Sequence, residues 1–218
     1  MNGERNMTSF GDVVRGRRMT RAFLSDPLPP GLLEEFVDLA SRAPSAGKSQ
    51  GWHLVALEGP DTATFWDITL PSERRATFRW PGLPAAPLIL LPFADPQAYV
   101  DRYSEPDKAR TGLGVGTHAW PVPYWTVDAS MSVMTLLLAV EDAGLGALFF
   151  GVFAGETELR STLGVPALLE LLGAIAIGYP ADDPDATGTG RSARRPRRSP
   201  DEIIHRSRWS HPPAADAP

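Results

Sequence analysis

Cysteine is absent from the 218 residues of this chain. Without thiols the protein has no disulfide, no thiolate zinc site, no cysteine-ligated iron–sulfur cluster and no cysteine nucleophile. Any redox chemistry would therefore depend on a bound cofactor.

Long apolar runs are absent as well. The longest uncharged apolar stretch of helical character, residues 129–140, falls short of the roughly 20 residues that a membrane-spanning helix needs. The N-terminal residues 1–10 are polar and have no apolar signal core. We therefore expect a cytoplasmic protein without a membrane partner.

Strong charge of either sign is also missing, since 21 Lys and Arg residues stand against 26 Asp and Glu, a net charge of −5. A mildly acidic surface does not attract nucleic acid or anionic membranes, so neither is expected as a partner. Hydrophobic residues make up 43% of the chain, enough for one sizeable core. The sequence predicts one domain over residues 11–209, between a flexible N-terminus, 1–10, and a flexible tail, 210–218.

Helical and strand patterns alternate along that domain. Apolar spacing predicts a first helix that ends near residues 16–19. It predicts five further helices, over residues 32–40, 61–68, 96–103, 128–144 and 157–163, with Asp61 and Asp128 as helix caps. Apolar runs bounded by Gly and Pro predict strands over 52–57, 86–93, 147–150 and 171–180. Residues 104–125 are irregular and aromatic, and we interpret them as a candidate lid loop. The pattern indicates an α+β or α/β sandwich with helices covering the sheet.

A basic group, Arg17, Arg18 and Arg21, follows the first helical segment. Guanidinium groups offer fixed bidentate donors that hold a phosphate more specifically than Lys does. The same arginines would also suit an exposed helix C-terminus, where cations complement the dipole. Taken alone, this group leaves both interpretations open.

A polar loop of small residues, 44–51, precedes the first predicted strand, which begins at Trp52. A loop that joins a helix to a strand and exposes its backbone is a favoured location for a binding site. An ordinary connecting loop is the alternative.

Together these motifs resemble the nitroreductase-like FMN-dependent oxidoreductases, in the expected order and over nearly the whole chain. The segment from Arg17 to Phe23 resembles the family's Arg-Arg-Ser-x-Arg-x-Phe pattern, and residues 44–52 resemble its Pro-Ser-x-x-Asn-x-Gln-Pro-Trp loop. The resemblance implies an α+β fold with a central, mostly antiparallel sheet flanked by helices. It also implies an intertwined homodimer with two FMN sites at its interface.

The resemblance assigns site residues one by one. Those expected to bind FMN are Arg17, Arg18, Met19, Arg21, Pro44, Ser45, Ala46, Lys48, Gln50, Phe150, Gly151, Arg195 and Arg198. Trp120 and Tyr124 are candidates for stacking on a planar substrate. No metal is expected, because the four His residues show no paired ligand spacing.

Several positions depart from the family pattern. Met19 replaces a serine, so one phosphate hydrogen bond is missing or is made by Thr20. Lys48 stands where Asn is common and Gly51 where Pro is common. A lysine beside the flavin would favour the reduced, anionic ring. Some members have Glu-Gly where this chain has Gly151 and Val152, so only backbone contact is expected there.

The basic C-terminal extension, residues 181–209, contains five arginines, at 191, 194, 195, 197 and 198. Such a run is commonly a solvated patch or a nucleic-acid-binding patch. The family order instead implies that one or two of them, with Arg198 the best match, meet the FMN phosphate.

The activity implied is ping-pong reduction, in which NAD(P)H reduces the flavin and a nitroaromatic, quinone or similar planar electron-poor substrate is then reduced. The flavin carries the chemistry, and no side chain is assigned as a catalytic acid or base. An FMN-dependent dehydrogenase, a flavin-modifying enzyme or a flavin-binding protein without turnover would fit the same scaffold. A deazaflavin could also replace FMN.

Overall fold

The computed structural model contains one sheet of five strands. These are β1 (Trp52–Glu58), β2 (Leu88–Ala94), β3 (Gly146–Phe150), β4 (Glu170–Leu171) and β5 (Ala174–Gly178). Their order is β1-β2-β5-β3, with β4 also paired to β2, and every strand pair is antiparallel. The predicted α+β fold with a mostly antiparallel sheet is confirmed.

Residues 9–182 and 195–209 are described by the structure. The chain divides into two compact units, Met1–Thr187 and Gly188–Pro218. Residues 1–8, 183–194 and 210–218 lie outside the described part, so the flexible ends and the domain limits stay predictions. Within the described residues, no helix is both long and apolar enough to cross a membrane.

Seven α-helices surround the sheet in the described part of the first unit. They are α1 (Phe10–Gly16), α2 (Leu32–Ala40), α3 (Thr62–Thr69), α4 (Ser72–Arg75), α5 (Pro96–Ser104), α6 (Tyr124–Asp142) and α7 (Glu156–Thr162). The predicted lid, residues 104–125, contains three short 3-10 turns between α5 and α6.

Strand β2 is buried at every position because helices cover both faces of the sheet. Its alternate residues Leu88 and Leu90 pack with α2 and α6, whereas Ile89, Leu91 and Phe93 pack with α3 and α7. A strand buried on both faces reads as a continuous apolar run rather than an alternating one. This explains why the sequence pattern of β2 is apolar throughout.

Three sequence predictions need correction. Helix α6 begins at Tyr124, so Asp128 lies in its second turn and is not its cap. Asp61 holds the cap position of α3, but its side chain makes no capping hydrogen bond. The last predicted strand is divided into β4 and β5 at Gly173, where φ is +142° and a Cβ would lie 2.6 Å from the Phe150 carbonyl oxygen.

Candidate functional site

The arginine segment runs along the free edge of β3. Met19 forms a parallel bridge with Ala147, and the Thr20 amide donates a hydrogen bond of 2.9 Å to the Ala147 carbonyl oxygen. Phe23 forms an antiparallel bridge with Pro180, just after β5. Backbone pairing to the sheet therefore fixes the position of the arginines after α1 ends.

The three arginines differ in their contacts. Arg18 Nη1 donates to its neighbours' carbonyl oxygens, Arg15 at 2.7 Å and Arg17 at 3.2 Å, and Arg21 Nη1 donates to the Met19 carbonyl oxygen at 2.9 Å. Arg17 Nη1 is buried and has no hydrogen-bond partner in the described structure. A buried donor without an acceptor is costly, and a bound anion would satisfy it.

Met19 stands where the family has serine, and the neighbouring hydroxyl of Thr20 is buried. Thr20 is only 4% exposed, and its side chain lies against β3, where a Cβ on Gly146 would be 2.6 Å from its Oγ1. Met19 itself is half-buried and packs against the core on both sides of the sheet. The burial of Thr20 favours the alternative that one phosphate hydrogen bond is missing, and this stays a prediction.

The loop of residues 44–51 has an unusual backbone. Gly47, Lys48 and Gln50 have φ values of +61°, +58° and +53°, and for the two non-glycine residues this left-handed region is strained. Ser45 Oγ accepts a hydrogen bond from the Gln50 amide at 3.1 Å, which closes the loop. Strain of this kind persists only where the surroundings fix it.

Three residues outside this loop hold it in place, and the sequence analysis assigned none of them to the site. Asp128 Oδ2 accepts hydrogen bonds from the Ala46 amide at 2.7 Å and from the Tyr99 hydroxyl at 2.8 Å. Arg102 Nε donates to the Gly47 carbonyl oxygen at 2.8 Å. The available signal was a carboxylate inside the apolar run of α6, which we read as a helix cap.

Burial acts on the hydroxyl in this network. Tyr99 is 1% exposed, and desolvation together with its hydrogen bond to Asp128 raises the pKa of the hydroxyl above its ordinary value. The hydroxyl therefore stays protonated and donates to Asp128.

The end of β3 presents its backbone rather than its side chains. The Phe150 ring stacks on Trp66 at 6.1 Å between centroids and packs into the core beside α3. Gly151 follows it and is exposed. The Phe150 ring thus faces the core, and the backbone contact expected of Phe150 and Gly151 with a ligand stays a prediction.

The candidate substrate residues have different environments. Trp120 is 8% exposed, its Nε1 donates to the Leu113 carbonyl oxygen at 3.0 Å, and its ring lies 4.7 Å from that of Tyr103. Tyr124 is 40% exposed and its ring lies 5.9 Å from that of Trp120. The exposed ring of Tyr124 is thus the more accessible of the two.

The C-terminal arginines belong to the second unit. Arg195 and Arg198 are both exposed, and Arg198 Nη2 donates to the Glu202 carbonyl oxygen. A capping box between Ser199 and Glu202 opens the 3-10 turn Pro200–Glu202. Arg191 and Arg194 lie outside the described residues.

Within one chain the arginine segment and the loop lie at opposite ends of α6. A Cβ on Gly16 would lie 2.9 Å from Glu141 Oε1, near the helix C-terminus, whereas the loop is bound to Asp128 in the second turn. The rise between these two helix positions is about 20 Å. The structure therefore separates the two motifs that the sequence analysis assigns to flavin binding.

A model of the nitroreductase family matches residues 14–179, from within α1 to just past β5. The chain belongs to the nitroreductase family. An NADH dehydrogenase of Thermus thermophilus is 30% identical over 183 residues, which cover 77% of this chain and 84% of that protein. A 5,6-dimethylbenzimidazole synthase of Rhodospirillum rubrum is 29% identical over 201 residues, covering 84% of this chain and 89% of its own.

Solved structures of this family share the fold. A protein from Exiguobacterium sibiricum, described as a nitroreductase in complex with FMN, superposes with a TM-score of 0.70. The match covers 93% of this chain and 98% of that one, at 17% sequence identity. At this level of identity the likeness shows the fold alone.

Proposed function

We propose that this nitroreductase-family protein is an FMN-dependent oxidoreductase that uses NAD(P)H to reduce nitroaromatic, quinone or similar planar electron-poor substrates. Its relatives support redox chemistry, since one is named an NADH dehydrogenase, and a protein with the same fold holds FMN. The observation that carries the proposal is Arg17 Nη1, a buried guanidinium nitrogen without an acceptor in the segment expected to bind phosphate.

The described residues fit the chemistry of FMN. Arg17, Arg18 and Arg21 would hold the phosphate, which carries close to two negative charges, and Arg195 and Arg198 are further candidates. Hydroxyl, amide and main-chain groups of the loop, from Pro44, Ser45 and Ala46 to Lys48 and Gln50, would face the flavin ring, as would the main chain at Phe150 and Gly151.

When bound, FMN would supply the hydride chemistry between NAD(P)H and the acceptor. The protein itself would bind the flavin, orient it and tune its reduction potential. Asp128 and Arg102 hold the loop in place, Lys48 adds a positive charge to it, and Tyr124 offers an exposed ring to a planar substrate.

A homodimer would complete the site. Tyr124, Val127, Met131 and Met134 are 37–40% exposed and lie three or four residues apart, on one side of α6. The opposite side of α6 is buried in the core, so the helix is apolar on both sides, as expected of a helix that is covered. A twofold pairing of α6 would bring the loop end of one chain beside the arginine end of the other.

The absorption spectrum of the purified protein tests the cofactor first. Flavin bands, and their anaerobic bleaching by NADPH or NADH, are expected. A spectrum without flavin after incubation with FMN, or a bound flavin that neither nucleotide bleaches, would remove the reductase function. A spectrum typical of a deazaflavin would indicate that this cofactor is bound in place of FMN.

Substitution of single arginines tests the phosphate contact. Arg17→Ala and Arg21→Ala are each expected to weaken FMN binding by about tenfold or more, since a hydrogen bond to a charged group contributes about 1.5–3 kcal/mol. Arg42→Ala serves as the control, because Arg42 pairs with Asp38 on α2. Full flavin retention in both variants would contradict the assignment.

The dimer is tested by light scattering of Met131→Glu. A charge on the exposed side of α6 should give a monomer with weakened flavin binding, whereas Leu168→Glu, at a residue 71% exposed elsewhere, should leave both unchanged. A Met131→Glu protein that keeps the wild-type mass and flavin content would refute this interface.

A flavin-modifying reaction is the second candidate, favoured by the relative named 5,6-dimethylbenzimidazole synthase. Chromatography of the flavin after reduction and exposure to air separates the two functions. Recovery of intact FMN is expected of a reductase, and loss of FMN to a new product would favour the modifying enzyme.

A further inference from the structure

Glu170 of β4 lies at the end of the sheet where the loop of residues 44–51 leads into β1. In the register of the sheet, Trp52 of β1 is opposite Ala94 of β2, and Ala94 is opposite Glu170 on its other side. Paired residues on neighbouring antiparallel strands are about 4.5–5.5 Å apart between Cα atoms, so the Glu170 backbone lies about 10 Å from Trp52, the residue after the loop.

Glu170 is also close to the end of β3. Three residues further on, a Cβ on Gly173 would lie 2.6 Å from the Phe150 carbonyl oxygen, and Ala174 pairs with Phe150. Three residues of extended chain span at most about 11 Å. The strand order therefore puts Glu170 between the two segments that we propose face the flavin ring, the loop and the main chain at Phe150 and Gly151.

Two hydrogen bonds hold the Glu170 carboxylate against the start of α6. Its Oε2 accepts from Trp125 Nε1 at 2.9 Å and from Thr126 Oγ1 at 3.3 Å. Both donors belong to the first turn of α6, beside Tyr124, the candidate for stacking on a planar substrate. These bonds fix where the negative charge lies.

The charge of this carboxylate is open to a ligand. Glu170 is exposed, no salt bridge in the described part of the chain includes it, and both of its hydrogen bonds there go to Oε2. An exposed carboxylate without a cationic partner attracts cations, accepts hydrogen bonds from N–H and O–H groups, and repels anions.

We propose that Glu170 is a specificity-determining residue that favours planar electron-poor aromatics with a positive charge, or with N–H or O–H donors, over anionic ones. The inference rests on the proposed function and deepens it, because it names the class of substrate that the site takes. Tyr124 suits the same class, since the face of an aromatic ring attracts a cation. Glu170 lies outside the motifs that the sequence analysis selected.

Three nitroaromatic substrates that differ mainly in charge test this preference, 4-nitrobenzoate, 4-nitrobenzamide and (4-nitrobenzyl)trimethylammonium. Their kcat/KM values are compared in wild type, Glu170→Gln and Glu58→Gln, the last of which changes an exposed carboxylate at the opposite end of β1. Glutamine removes the charge but keeps an oxygen acceptor for Trp125 and Thr126. Because each substrate is compared with itself, differences in intrinsic reactivity cancel. Lys48 on the loop has the opposite charge, so the change on substitution is the measure.

Removal of the charge should act in opposite directions on the two ions. Glu170→Gln should raise kcat/KM about threefold for 4-nitrobenzoate and lower it about threefold for the ammonium substrate, as expected of unit charges roughly 6–7 Å apart in water. The neutral amide should stay within about twofold of wild type, and about 0.5 M salt should reduce both effects. Glu170→Lys should move the ratio of cationic to anionic substrate further in the same direction, whereas Glu58→Gln should keep the wild-type ratio. A ratio in Glu170→Gln equal to that in Glu58→Gln, or an equal loss with all three substrates, would overturn the proposed selection.

Equilibrium binding distinguishes this inference from the proposed function. Calorimetry without NAD(P)H should show that Glu170→Gln binds the ammonium compound about threefold more weakly, and 4-nitrobenzoate about threefold more tightly, than wild type does. Wild-type protein that binds both compounds but reduces neither would contradict the reductase function and leave this comparison intact. Wild-type protein that binds neither compound, or equal dissociation constants in wild type and variant, would overturn the role of Glu170.

Discussion

Ala46 and Asp128 are 82 residues apart in the chain and are joined by a hydrogen bond of 2.7 Å from the Ala46 amide to Asp128 Oδ2. The same oxygen accepts from the Tyr99 hydroxyl, so one carboxylate connects the loop, α5 and α6. Backbone strain at Lys48 and Gln50 costs on the order of 1–3 kcal/mol each. Contacts such as this one offset that cost.

Asp128→Ala should destabilise the protein by about 2–3 kcal/mol, because it leaves two buried donors without an acceptor. FMN binding should weaken as well, since the loop loses its anchor. Asp128→Asn keeps an oxygen acceptor, and we expect it to lose less of both. Urea unfolding and flavin titration measure the two effects.

Asp142→Ala, an exposed carboxylate at the end of the same helix, is the matched control and should change neither quantity. If Asp128→Ala unfolds and binds FMN as the control does, the carboxylate does not hold the loop.

Tyr99 should make stability depend on alkaline pH. Because the folded state raises the pKa of its hydroxyl, the contribution is fully present below the unfolded pKa of about 10 and is lost as pH rises above it. The loss has a slope of about 1.4 kcal/mol per pH unit for one proton. Tyr99→Phe should be less stable at pH 8 by about 1 kcal/mol and lose less stability between pH 10 and 11.

Urea unfolding at about pH 8, 10 and 11 measures this difference. The control is Tyr124→Phe, an exposed tyrosine near Trp120, which should keep the alkaline loss of the wild type. An equal alkaline slope in Tyr99→Phe and wild type would exclude Tyr99 as its source.

Arg102 connects the loop to the candidate lid. Its Nε donates to the Gly47 carbonyl oxygen, and its two terminal nitrogens each donate to Asp107 at 2.8 Å. A lysine ammonium cannot reproduce these parallel bonds together with the third one. Both Arg102→Ala and Arg102→Lys should therefore loosen residues 104–118, and trypsin should cleave after Lys108 and Arg110 several times faster than in wild type.

The matched control is Arg42→Ala, because the Arg42 guanidinium, just after α2, pairs only with Asp38 in the described structure. Cleavage at Lys108 and Arg110 should keep the wild-type rate in this control. Unchanged rates in the two Arg102 variants would show that the lid is ordered without Arg102.

A steric constraint explains why this chain has glycine at position 51, where the family commonly has Pro. A Cβ there would lie 2.7 Å from both the Asp95 carbonyl oxygen and the Tyr99 ring. Gly51→Ala should therefore destabilise the protein by about 1–3 kcal/mol in urea unfolding. Gly11→Ala is the control, since its Cβ would meet only the flexible end of Arg15 on α1 and should be neutral or slightly stabilising.

Local patterns predicted most elements of the fold because their causes are local. The spacing of Leu32, Phe36 and Ala40 on α2 and the apolar run of β2 follow from which faces the sheet buries. The family motif likewise predicted the arginine segment. Asp128 was misread because a carboxylate before an apolar run is equally typical of a helix cap.

The rest of the site depends on contacts between distant parts of the chain. The bond from Ala46 to Asp128 and the contact of Arg21 with Trp80 arise only when the folded sheet brings these segments together. No spacing rule encodes them. For the same reason the burial of Thr20 against Gly146 could not be read from the motif that contains it.

Lys48 offers the sharpest test of flavin tuning. It is exposed and held at a φ of +58°, in the loop that we propose faces the flavin ring. A nearby cation stabilises the reduced, anionic ring, so removing it should lower the midpoint potential, by on the order of 10–30 mV for a two-electron couple.

Lys48→Asn is preferred to Lys48→Ala, because Asn tolerates the left-handed backbone and isolates the effect of charge. Spectroelectrochemical titration measures the potential, with the half-buried Lys108 changed to Asn as the control. A potential in Lys48→Asn equal to that of wild type would place the Lys48 charge out of reach of the flavin.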